Sequence, residues 1–95
     1  MGVDGIIAYS GGVYDSKRDR LVVWGGGHAD YQGNEIYAFD VFSLKWERLT
    51  EPSEPNLCEQ VNSDGTPNSR HTYNGIAYIE HADRMFGTGG ALACN

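Results

Sequence analysis

Residues 21–40 read LVVWGGGHADYQGNEIYAFD, and the fold is decided by how this stretch is read. Leu21, Val22, Val23 and Trp24 form a short apolar run suited to a pleated strand, and it stops at Gly25, Gly26 and Gly27. Three consecutive glycines tolerate positive φ and close backbone approach, so a turn is expected there, carrying His28, Asp30 and Tyr31. Alternation then resumes. Glu35, Tyr37, Phe39 and Val41 fall on one face, and Asn34, Ile36, Ala38 and Asp40 on the other.

Outward from this core, residues 6–14 read as a strand loosened by Gly11 and Gly12, and the polar turn at residues 15–19 returns the chain into the 21–25 strand. Residues 34–41 make a third strand. After a turn at Phe42, Ser43 and Leu44, residues 45–49 supply a fourth. The expectation is an all-β chain that begins with a four-stranded antiparallel meander over about residues 6–49. No window joins helical periodicity to a cap and sufficient length, so no substantial helix is expected. Both faces of the second strand are apolar, which implies neighbours on both sides and places Trp24, Tyr37, Phe39 and Trp46 in packing roles. Residues 50–70 contain Pro52, Pro55, Gly65 and Pro67 among Asn, Asp and Ser, and read as one long loop, either functional or a tolerated surface insertion.

After the loop the start of the chain recurs. YSGGVYDSKRDRLVVWGGG, from Tyr9, aligns without a gap on YNGIAYIEHADRMFGTGGA, from Tyr73. The identities are Tyr9/Tyr73, Gly11/Gly75, Tyr14/Tyr78, Asp19/Asp83, Arg20/Arg84, Gly25/Gly89 and Gly26/Gly90. Residues 71–90 therefore read as the first two strands of a second unit.

A four-stranded repeat with glycines closing its second strand, followed by Phe39, Asp40 and Trp46, resembles a kelch repeat. GGGHADYQGNEIYAF and SRHTY look like the corresponding segments of larger bacterial kelch-type proteins. The resemblance implies blades of a β-propeller, similar to the central domain of galactose oxidase, here about one and a half of them. The copper-binding positions of galactose oxidase have no residue-by-residue match, so the resemblance implies no copper site, and no cofactor is expected.

Composition narrows the partners. Ninety-five residues with 40% hydrophobic content suit a single small domain. A net charge of -6 without a Lys/Arg cluster makes nucleic acid and anionic membrane poor partners. No apolar run approaches the ~20 residues of a membrane span, and no signal peptide is recognised. Cys58 and Cys94 allow one disulfide or two free thiols. No nucleophile elbow, HExxH or phosphate-cradling loop is present, so no catalytic residue is assigned.

Connections in an antiparallel meander alternate between the two ends of the sheet. The link between strands two and three and the link out of strand four thus share one end, which gathers His28, Asp30, Tyr31, Arg70 and His71. His81 belongs to the opposite end, as a solvated turn residue. The gathered set suits a small polar ligand or an anion, or serves structure through mutual pairing. A metal held by His28, Asp30 and His71 is the weaker alternative, since their spacing is not diagnostic. Function is then expected to be a binding or interaction module for a carbohydrate or protein partner; the alternatives are a piece of a larger propeller enzyme and a self-assembling unit without ligand. One and a half blades leave open edges and faces. Self-association is expected, as a ring-like tetramer or a strand-exchanged dimer.

Overall fold

In the computed structural model, which describes residues 9–27 and 31–94, the chain is all-β. Strands β1 (Ser10–Asp15), β2 (Arg20–Gly25), β3 (Tyr37–Asp40) and β4 (Lys45–Arg48) pair antiparallel in sequence order, and β5 (Ile76–Ile79) and β6 (Arg84–Gly87) form a separate hairpin. A single 3-10 turn, Glu80–Ala82, is the helical content of the described residues, and none of their helices is long and apolar enough to cross a membrane.

Register sorts side chains into two rows. Val13, Val22, Ala38 and Glu47 lie opposite one another across the sheet, and the next row, Tyr14, Leu21, Phe39 and Trp46, points the other way. The β5–β6 hairpin lies on the first of these faces. Ile76 is buried with Val13, Val22, Trp24 and Ala38, while Ile36, Leu49, Tyr78 and Met85 pack around them. β1 and the segment leading into β5 approach so closely that a Cβ on Gly11 would collide with the Tyr73 carbonyl.

The sequence repeat is also a repeat of local geometry. The Tyr14 hydroxyl donates to Asp19 at 2.6 Å, and the Tyr78 hydroxyl donates to Asp83 at 2.8 Å. Asp19 and Asp83 both take left-handed backbone, with φ of 51° and 53°. At this end the units are joined by Arg18, which donates to Asp15 in its own turn at 2.9 Å and to Asp83 in the other at 2.9 and 2.7 Å. Ser16 donates to Glu80 alongside.

Several expectations need correction. The third strand starts at Tyr37 rather than Asn34, because backbone groups ahead of it are bonded to side chains: the Asn34 carbonyl accepts from Trp24 Nε1 at 2.9 Å and the Ile36 N–H donates to Thr50 Oγ1 at 2.9 Å. Trp24 is buried at 6% exposure, but Trp46 is 42% exposed and Leu21 37%. The hairpin covers only the Val13 face, so β2 is not covered on both sides along its length. Residues 50–70 carry no strand, yet they are firmly bonded. Asn68 is fully buried and its Nδ2 donates to the carbonyls of Asn56, Glu59 and Ala93 at 3.2, 3.0 and 3.2 Å. Cys58 and Cys94 form a disulfide, with their Cα atoms 4.4 Å apart.

Candidate functional site

The glycine turn after β2 fixes the end of the molecule opposite the Arg18 turns. Gly26 N–H donates to the Arg70 carbonyl at 2.9 Å, and the Thr72 hydroxyl donates to the Trp24 carbonyl at 2.7 Å. Gly27 has φ 58°, and a Cβ there would come within 2.8 Å of the Ser69 carbonyl carbon and the Arg70 nitrogen. Only glycine lets residues 69–72 lie this close. On its other side the same strip accepts Ala93 N–H at the Ser69 carbonyl, 2.8 Å, and donates His71 N–H to the Ala91 carbonyl, 2.9 Å. The strip is thus held between the two units.

This framework sets the five expected site residues differently. His28 and Asp30 lie outside the described residues, as does any metal reading built on them. Among the described residues no group of three or more His, Cys, Asp or Glu side chains is placed to hold a metal ion. Arg70 turns its guanidinium to the long loop: Nε donates to the Asn68 carbonyl at 3.1 Å, and its two terminal nitrogens donate to Gln60 Oε1 and the Gln60 carbonyl at 3.0 and 2.9 Å. It also stands 6.0 Å from the Trp24 ring centroid. Burial lowers its pKa from the usual arginine value. Arg70 is therefore a clamp for the loop.

Tyr31 belongs to a second polar cluster. Its hydroxyl donates to Glu35 Oε2 at 2.5 Å, and the Tyr37 hydroxyl donates to the same oxygen at 3.2 Å. Glu35 is fully buried, and its Oε1 has no hydrogen-bond partner among the described residues. Burial first, and the adjacent carboxylate second, raise both tyrosine hydroxyls above their ordinary pKa.

His71 sits in an aromatic group. Its ring stacks on Tyr9, with centroids 4.6 Å apart and planes 17° from parallel, and meets the edge of Tyr73 at 6.0 Å and 77°. Tyr9 is 37% exposed and Tyr73 57%. Both tyrosines hold left-handed backbone, with φ of 65° and 42°, which is uncommon for bulky residues and costs on the order of 1 kcal/mol or more each. The repeat had identified these two residues as equivalents. Sequence reasoning left them out of the site because strand parity says nothing of which loop aromatics flank a histidine. Their signal was there: Tyr73 is two positions after His71, and Tyr9 is its repeat counterpart.

A cleft of about 440 Å³ opens between the end of β2, the β5–β6 hairpin and the 50–70 loop, lined by the apolar side chains of Trp24, Ile36, Ile76 and Met85 and by loop residues such as Ser53 and Thr66. Of the three expected residues that are described, Arg70 lines it and Tyr31 and His71 do not. His81 lies in the 3-10 turn, apart from the aromatic group, and is exposed.

No protein family, curated protein or solved structure matches this chain.

Proposed function

We propose that the chain is a kelch-like binding module of about one and a half blades, and that its ligand site is the group Tyr9, His71 and Tyr73 at the glycine-turn end. One observation carries the reading: two partly exposed tyrosines, at equivalent places in the repeat and both in left-handed backbone, flank one histidine. Backbone of this kind persists where the surroundings over-determine it, often at ligand sites. Exposed rings offer a flat apolar surface, while the phenol and imidazole edges offer donors and acceptors. A sugar ring, with one apolar face and a rim of hydroxyls, has the matching chemistry. The kelch-like reading is supported by the doubled Tyr–Asp turn and by the four-strand order of the first unit.

The test is an amide-resolved NMR titration of the whole chain with galactose, glucose and N-acetylglucosamine at millimolar concentration. A sugar is expected to shift the amides of residues 9–10 and 70–73. Tyr73→Ala removes an exposed ring and is expected to weaken binding about tenfold, ~1.4 kcal/mol, with little change in melting temperature. Absence of any shift, or equal binding by Tyr73→Ala, overturns the proposal.

A further inference from the structure

We infer that the Tyr14–Leu21–Phe39–Trp46 face of the four-stranded sheet is a docking surface for a second copy of this chain, which seats the outer side of its β5–β6 hairpin there. The four residues lie directly opposite one another across β1 to β4 and so form one continuous row. Tyr14 is 49% exposed, Leu21 37% and Trp46 42%, and the Phe39 and Trp46 rings lie 5.1 Å apart. A row of large apolar groups on one face is the usual mark of an interaction surface.

The occupant is identified by the interface the molecule already contains. Within one chain, Tyr78 and Met85 pack against the Val13–Val22 side of the sheet. The repeat makes Tyr14 the counterpart of Tyr78 and Leu21 the counterpart of Met85. It also makes Ala77 the counterpart of Val13 and Phe86 the counterpart of Val22. Ala77 and Phe86 are opposite one another on the outer side of the hairpin, where Phe86 is 55% exposed. Each chain therefore displays the Tyr78–Met85 and Val13–Val22 parts of its own internal contact a second time, one on each outer face, with Gly12 in the place of Ile76 and Thr88 in the place of Trp24. Placing Tyr14 and Leu21 of one copy on Ala77 and Phe86 of the next reproduces the part of the internal packing that Tyr78 and Met85 make with Val13 and Val22. It also brings the Glu80 of one copy to the Ser16 of the next, as the Ser16–Glu80 contact does within a chain.

Because the two faces differ, the contact is head-to-tail and leaves a free face of each kind at the ends of any open assembly. A charge of -6 on each copy opposes it, so added salt is expected to strengthen association.

Sedimentation velocity of the full chain from about 1 to 500 µM tests the inference. The average mass is expected to rise above 10.4 kDa with concentration, and more so at high salt. Leu21→Glu and Phe86→Glu change exposed positions on opposite faces, and each is expected to lose association while keeping the wild-type circular dichroism. Mixed together, the two variants have one intact pair of faces, and they are expected to form a two-copy complex and nothing larger. Trp46→Glu substitutes for Leu21→Glu if that variant does not fold. A wild-type chain that stays monomeric throughout overturns the inference. Association that survives Phe86→Glu, or a mixture that remains monomeric, overturns the head-to-tail contact.

Discussion

Two tryptophans separate what alternation in a sequence reveals from what it hides. Trp24 ends the apolar run 21–24 and Trp46 lies in the short 45–49 strand, and both read as packing residues. Yet the Trp24 ring lies in the core, where its Nε1 donates to the Asn34 carbonyl at 2.9 Å, while Trp46 lies on the uncovered face. Alternation assigns a side chain to a face and cannot say what covers that face. The expected outcome is unequal: Trp24→Ala costs about 3–5 kcal/mol, and Trp46→Ala about 1 kcal/mol or less. Urea unfolding at a concentration too low for association measures both, and equal losses would contradict the burial described above. Glu35 shows the same limit from the polar side. Its place on the Tyr37 face was legible, but its enclosure with the Tyr31 hydroxyl depends on a connection whose path no local pattern encodes.

Among the elements, the turns were the most legible and the contacts between them the least. The repeat located both Tyr–Asp turns. Arg18, however, aligns with Ala82, so the ion pair from Arg18 to Asp83 has no counterpart to reveal it. The Arg18 guanidinium first, and the Tyr78 hydroxyl second, hold the Asp83 carboxyl well below the usual carboxylate range. A folded-state pKa below the unfolded value of about 3.9 favours the folded state above that pH, and the contribution is lost as pH falls further. The pair is partly exposed, with side-chain exposures of 45% and 31%, so salt weakens it. Wild type is therefore expected to lose stability as pH drops below about 4, and Asp83→Asn to lose less over the same interval. Urea midpoints between pH 3 and 6 measure this, and identical acid slopes for the two proteins would exclude a role for Asp83.

For the molecule as a whole, the all-β class, the strand order and the two-unit plan could be read from residue spacing, because strand periodicity and turn residues are local properties. The closure of the structure could not. Proline and asparagine mark residues 50–70 as a loop, but nothing in their order shows that Asn68 would be fully buried, donating to three carbonyls. Two cysteines carry no geometry of their own, so their pairing stayed open until the chain was folded. That pairing makes residues 58–94 a covalent ring that contains the entire β5–β6 hairpin. Trypsin acting at the exposed Arg84 opens the ring without releasing either piece. Cuts at the exposed Lys17, Arg18, Lys45 and Arg48 fall outside the ring, so mass spectrometry of the digest is expected to find the fragment carrying Cys58 joined to the fragment carrying Cys94 under non-reducing conditions, and the two separate once dithiothreitol is added. A Cys58 fragment and a Cys94 fragment that part without reductant would show that the ring is not closed. With the ring closed, a severed backbone keeps both its ends within reach of each other, and a ligase has a substrate to rejoin.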